Sequence, residues 1–532
     1  MTSADPLHCP GSPTTHWTTD NVGEAMPGVA SPLGWSIWES DSDPANRELF
    51  FRIGILSRAE RDSAGPITEP VIRIFFGRIA MCMEWLGMVG DRMPGTTGPE
   101  AITGMLGRVP DTMTFTPVRR RYPIIAAKMP VAARRAIREV RALSEPTRTW
   151  WRHNVSAVAT ADEASARATL IDGATRYRHL VTEQGVVLFA ATTPVTHALS
   201  ALVNRAGVGD LGTLSGTGGA EMRIVEDLWR ASRGEIGIEE VVAEHGYHGP
   251  LEGEVASRVW REDPEPLRRM VAAYAGRGDD EDPIAHNARV RARLPQMQRE
   301  VIAAVPRAHR PAARAILTLA TRTLPMRGVG KAAFVQALDV SRAAARRLGK
   351  VYADEGRLDD PDDVFYLTLA ELRSGPPPDV HELVASRRAR REDYRRIQLP
   401  HSWRGTPDLV ATAAARAAVG DVISGVAASD GQVEGTVRIV TDPSFADVEP
   451  GEILVSHTTD PSWASIMFVS AALVVDIGGI VSHAAVVARE LGIPAVVNTR
   501  HGTDLLRDGD RVRVDGSAGT VELLDRVSLP IA

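Results

Sequence analysis

The chain has 532 residues with 61 basic and 67 acidic side chains, a formal net charge of -6, so it lacks the electrostatic footprint of a nucleic-acid binder and is long enough for two to four domains. Two cysteines, Cys9 and Cys82, exclude a disulfide framework and show no metal-ligand spacing. The start MTSADPLHCPGSPTTHW has no basic-then-apolar leader and no uninterrupted apolar run approaches a membrane span, so the expectation is a cytoplasmic, soluble protein without membrane or nucleic-acid partners.

Residues 1–15, rich in Pro, Ser, Thr and Gly, predict a mobile tail. Asn21 to Glu39, broken by Pro27, Pro32 and several glycines, predicts an extended loop pinned by Trp35 and Trp38. From Glu69 to Met93 the apolar spacing of Val71, Ile74, Phe75, Ile79, Met83 and Leu86 predicts one helix, with the methionines at 81, 83, 88 and 93 filling core. Further helices are expected over Ile124–Leu143, Ala161–Val181 and Val186–Arg205. The glycine-rich Gly209–Met222 fits neither nucleotide-loop pattern, and Gly328-Val329-Gly330-Lys331 is no Walker loop because Pro325 replaces its first glycine.

His245, His248, Glu252 and Glu254 cluster among turn residues, but Gly246 and Gly249 argue for a loop, so no metal site is expected. A long helix is predicted over Val329–Asp354; if it already includes Arg327, that residue and Lys331 project from one face as a dock for a phosphoryl group, or form an exposed basic edge. The arginine run Arg387–Arg396 reads as a solvated helix face. After Leu399–Pro407 the composition shifts to valine and glycine. Strands are expected within Gly425–Val440, Gly451–His457, Ala472–Ile477, Ala495–Asn498 and Arg511–Leu524.

Asp476 to Asn498 reads as strand, glycine turn, helix and strand, and its helix opens at Ser482-His483 and closes at Gly492 before Pro494. A histidine in a first helical turn sits where backbone N–H groups and the helix dipole suit an anion. Imidazole can carry that anion, being nucleophilic near neutral pH and forming a labile phosphoramidate. By position alone, an ordinary polar histidine is the commoner case.

GGIVSHAAVVARELGIPAVV resembles the phosphohistidine segment of the phosphoenolpyruvate-utilising enzymes, which include phosphoenolpyruvate synthase, pyruvate phosphate dikinase and rifampicin phosphotransferase. Gly478, Gly479, Ser482, His483, Ala488, Arg489, Glu490, Gly492, Pro494 and Ala495 all follow the family pattern. The resemblance implies that His483 is the catalytic phosphoacceptor, supported by Gly478, Gly479, Ser482 and Arg489. Asn21–Glu39, Glu244–Leu267 and Arg357–Leu372 resemble the acceptor domain of rifampicin phosphotransferase-like proteins. The family's G-H-R-G-P-G-E is here Gly246-Tyr247-His248-Gly249-Pro250-Leu251-Glu252, which points to a different substrate or orientation. The implied fold is multi-domain α plus α/β: a mainly helical acceptor domain over 16–400, a hinge linker over 401–414, and a swivelling β/α phosphohistidine domain over 415–526.

Candidate acceptor-site residues are Glu24, His248, Glu252, Arg327 and Lys331. The implied reaction passes a phosphoryl group from His483 to a hydroxyl of a small organic acceptor. The acceptor-like segment begins at Asn21 and no nucleotide loop follows, so the expectation is that a separate ATP-grasp subunit, holding ATP and magnesium, loads the histidine, as in two-component phenylphosphate synthase systems. No cofactor is then bound directly. The alternative is a ligand-binding or regulatory relative that kept the fold and lost turnover.

Overall fold

The computed structural model describes residues 5–20, 22, 26, 28–62, 67–106, 109–208, 214, 220–409, 417–440, 448–449, 451–459, 463–479 and 482–526. It is rich in helix, with a small α/β region towards the C-terminus, and divides into two units. Unit 1 comprises residues 1–190, 251–258 and 329–412; unit 2 comprises 191–250, 259–328 and 413–532.

Unit 1 holds a four-stranded sheet in the order β2-β3-β1-β4, built from β1 (His16–Thr18), β2 (Ile72–Phe75), β3 (Arg78–Cys82) and β4 (Ser402–Arg404). The single helix expected over Glu69–Met93 is instead the hairpin β2–β3 followed by a helix over Met83–Arg92. Phe76 and Gly77 both take positive φ, 48° and 75°, and Phe75 pairs with Arg78. That two-residue turn selects a hairpin, and the same apolar residues then alternate across a sheet.

The loop expected over Asn21–Glu39 is likewise corrected, because α1 (Pro32–Arg52) begins inside it. Proline costs nothing at a first helical position, where its missing N–H would have no helical partner. Ser31 caps the helix, its Oγ accepting from Gly34 N at 3.0 Å, and itself donates from N and Oγ to Glu254, each at 2.6 Å. Near the start, Leu7 is buried and Cys9 N donates to Ile74 O.

Helices α2 (Tyr122–Ala157), α3 (Glu163–Val187) and α4 (Met326–Asp354) follow. Leu170, Ala174, Tyr177, Ala337, Leu338 and Leu348 build the main core of unit 1. Within it, the fully buried Arg342 donates to Asp339 and to the carbonyls of Glu252 and Glu254. Arg387, expected on a solvated face, is buried and makes a two-pronged pair with Glu371, both contacts at 2.8 Å. The helical run Glu163–Ala206 is long and apolar enough by length and composition to cross a membrane, and 44% of its most apolar window is buried inside the fold.

Unit 2 carries an eight-stranded mixed sheet ordered β5-β12-β11-β7-β8-β9-β10-β6. Its strands are β5 (Val422–Ser424), β6 (Val426–Ser429), β7 (Gln432–Ile439), β8 (Ile453–Ser456), β9 (Ala472–Val475), β10 (Ala495–Val497), β11 (Arg511–Asp515) and β12 (Thr520–Asp525). β7, β8, β9 and β10 run parallel, and parallel strands bury both faces. Ile453, Val455, Ala472, Val474 and Val496 face one core. Leu454, Leu473, Val475, Ala495 and Val497 face another, shared with α5 (Ala464–Val469), with α6 (His483–Leu491) and with Met222, Val225, Trp229, Trp260 and Tyr274 of the helical segment.

Candidate functional site

The site forms where chain leaves the C-terminal ends of two neighbouring parallel strands, the edge at which open α/β sheets place ligands. The loop after β8 carries His457 and Thr459, and the loop after β9 carries Asp476, Gly478 and Gly479 and leads into α6. Gly478 has φ of 157°, and a Cβ there would lie 3.0 Å from Ser482 Oγ, so glycine lets the turn close against the helix start. Ser482 is the N-cap, its Oγ accepting from Ala485 N at 3.3 Å. Its hydroxyl therefore serves the helix.

His483 is the first residue of α6 and is 7% exposed. Its Nδ1 lies 3.1 Å from Thr459 Oγ1. When Nδ1 donates to that hydroxyl, Nε2 holds the lone pair and is the nucleophilic nitrogen. The positive end of the α6 dipole favours negative charge there. Ile480 and Val481 lie outside the described residues.

Asp476 fixes the second loop. Its buried carboxylate accepts from Thr499 Oγ1 at 2.8 Å, from Gly502 N, and from both the amide and hydroxyl of Thr503. His457 Nδ1 approaches it at 3.6 Å. Burial pushes this carboxyl up, but the donors His457, Thr503 and Thr499 outweigh it, and its pKa lies below the ordinary aspartate value. Arg489 extends from α6 to donate to Ala428 O at 2.7 Å, tying the helix to β6. Neither Thr459, which meets His483, nor Asp476, which fixes the second loop, stood out in the sequence: Asp476 is marked only as a carboxylate directly after an apolar strand, and Thr459 lies three residues beyond one.

Among the acceptor-site candidates, the structure joins Glu252 and Lys331 within unit 1. Lys331 Nζ lies 3.3 Å from Glu252 Oε2, with the lysine partly exposed and the glutamate buried. The helix α4 starts at Met326, so it does include Arg327. In unit 2, His248 is buried among Tyr247, Trp260 and His245, with ring centroids at 4.1, 5.7 and 6.3 Å. His245 Nε2 lies 2.9 Å from Asp227. Glu24 and most of Gly209–Met222 lie outside the described residues. Among the described residues, no group of three or more His, Cys, Asp or Glu is placed to hold a metal ion.

Residues 448–519, which contain His457, Thr459, Asp476, Ser482 and His483, match the PEP-utilising enzyme, mobile domain. Residues 197–328 match the rifampicin phosphotransferase fourth domain. The chain is similar to the PEP-utilising enzymes, and within them to rifampicin phosphotransferase. An uncharacterized protein of Mycobacterium tuberculosis is 36% identical over 289 residues, covering 53% of this chain and 31% of that protein. An uncharacterized phosphotransferase of Bacillus subtilis is 37% identical over 193 residues, covering 34% of this chain and 23% of its own. The rifampicin phosphotransferase of Streptomyces sviceus is 38% identical over 198 residues, covering 34% and 21%. The chain thus spans less than a third of the length of these relatives. Among solved structures, the solution NMR structure of a UPF0107 protein aligns over all of its own length and 20% of this chain, at 21% identity and a TM-score of 0.17.

Proposed function

We propose that this protein is a phosphotransferase component in which His483 carries a phosphoryl group to a hydroxyl of a small organic acceptor. The observation that carries the proposal is the placement of His483 at the start of α6 with Nδ1 against Thr459 Oγ1, inside the region similar to the PEP-utilising mobile domain. In loading, the Nε2 lone pair attacks phosphorus and the bond from phosphorus to the donor's leaving oxygen breaks. In delivery, the acceptor hydroxyl attacks and the P–N bond breaks.

Lys331 and Glu252 are assigned to delivery. The ammonium meets the charge developing on the phosphoryl oxygens, and the carboxylate takes the proton of the attacking hydroxyl. Arg327, four residues earlier on α4 but within unit 2, is a separate candidate for positive charge. The loading donor is assigned to a separate cytoplasmic ATP-grasp protein holding ATP and magnesium, with the β-phosphoryl group passing to His483, the γ-phosphoryl group passing to one water, and AMP and phosphate released.

Labelled ATP supplies the test. The chain incubated with an ATP-grasp partner takes up label, whereas the chain alone with ATP does not. Self-labelling by the pure chain would overturn the separate donor and leave the role of His483 in place. Absence of label under every loading condition would overturn the carrier itself.

A further inference from the structure

We infer that unit 1 holds a second small-molecule site: an arginine-lined cleft, remote in sequence from the histidine loops and from Glu252–Lys331, that binds a phosphate or phosphate monoester. The cleft has a volume of about 380 Å³ and is lined by Ser57, Glu60, Arg92, Arg120, Arg121 and Ile124. That volume falls within the range of about 300–1,000 Å³ usual for small-ligand sites. Its charge is unbalanced, with three guanidinium groups against one carboxylate.

The single carboxylate is already committed. Glu60 accepts from Arg92 Nη2 at 2.8 Å and from Ser57 N at 2.7 Å. Burial pushes its carboxyl up, yet these bonds bring it down to about 2. Glu60 is therefore ionised and offsets one arginine at most. Two positive charges remain.

The arginines are fixed to different degrees. Arg92 is 6% exposed and donates to Ile55 O at 2.9 Å, while its Nε–H has no hydrogen-bond partner among the described residues. A buried donor left in that condition is costly. Arg121 is anchored through Nε and Nη2 to Gly54 O at 3.1 and 2.7 Å. Its pKa is lowered first by burial, with Glu60 opposing and the like charges of Arg92 and Arg120 adding to the fall. That repulsion is what a bound anion would relieve. Arg120 is exposed and enters no ion pair or side-chain hydrogen bond recorded among the described residues.

Guanidinium forks suit the chemistry, because their paired N–H groups match two oxygens of one phosphate. Ile124, 40% exposed at the start of α2, supplies an apolar wall that inorganic phosphate would not use. An organic group esterified to the phosphate would lie against it.

Isothermal titration of the full chain with phenyl phosphate and with inorganic phosphate, at matched ionic strength, tests the site. Saturable one-to-one binding is expected for at least one probe. Tighter binding of phenyl phosphate identifies a monoester as the ligand, and equal affinity identifies phosphate itself. Arg120→Ala should weaken binding about tenfold without lowering the melting temperature, with Arg120→Lys in between because it keeps charge and loses the fork. No saturable binding at millimolar concentrations, or unchanged affinity in Arg120→Ala, would overturn the site.

Discussion

Thr459 Oγ1 and His483 Nδ1 face each other at 3.1 Å across the two loops that leave β8 and β9. When Nδ1 donates across this contact, Nε2 is left as the nucleophile. Thr459→Val keeps the volume and removes the hydroxyl partner of the ring. A neutral hydrogen bond is worth about 1 kcal/mol, so single-turnover loading of His483 should slow roughly fivefold. An unchanged loading rate, with an unchanged melting temperature, would remove Thr459 from the mechanism.

Asp476 makes the stability of the histidine domain depend on pH. Its folded pKa is depressed by the donors around it once burial is offset. Such a carboxylate stabilises the fold above the unfolded aspartate value of about 3.9, and that contribution fades as pH falls towards the folded value. Asp476→Asn should cost about 1–3 kcal/mol near neutral pH. Chemical denaturation of both proteins from pH 7 to pH 3 should show the gap closing at the acid end; a gap that stays constant would contradict the assignment.

Gly330 and Gln184 pack so closely that a Cβ on residue 330 would lie 1.7 Å from Gln184 Oε1. Overpacking in a core costs about 1–3 kcal/mol, offset here in part by the movement of the Gln184 side chain and by the roughly 1 kcal/mol that alanine gains over glycine in a helix. Gly330→Ala should lower the unfolding midpoint, and Gln184→Ala in the same chain should restore most of it. If the double variant is no more stable than Gly330→Ala, this close approach is not what requires glycine.

Lys331 separates the two half-reactions. Lys331→Ala should leave loading of His483 intact and slow delivery by roughly a hundredfold, the effect of losing about 3 kcal/mol of transition-state stabilisation. Rapid-quench measurement of phosphoryl loss from loaded protein, with and without acceptor, reads the second step alone. Equal delivery rates would return the Lys331–Glu252 pair to a purely structural role.

The parallel strands and the His483 helix were readable in the sequence because each is encoded locally. Leu473-Val474-Val475 is apolar on both faces, and Ser482 and Gly492 mark the two ends of α6. The hairpin β2–β3 was not readable, because the spacing of Val71, Ile74, Phe75 and Ile79 fits a helix as well as a strand pair. The turn at Phe76-Gly77 decides between them, and it needs a phenylalanine at positive φ, a conformation that side chain rarely adopts. Helix α1 is hidden for the opposite reason: Pro32 reads as a breaker although it sits directly after a capping serine. Thr459 lies 24 residues before His483, and pairing at that distance follows only from the adjacency of β8 and β9.

The most direct test of the phosphohistidine carrier is to load the full chain from labelled ATP with an ATP-grasp partner and locate the label. The account predicts an acid-labile, alkali-stable phosphoryl group on His483, mapped by mass spectrometry and lost in a folded His483→Ala protein. An acid-stable label, or one that maps to any other residue and persists in His483→Ala, would contradict it.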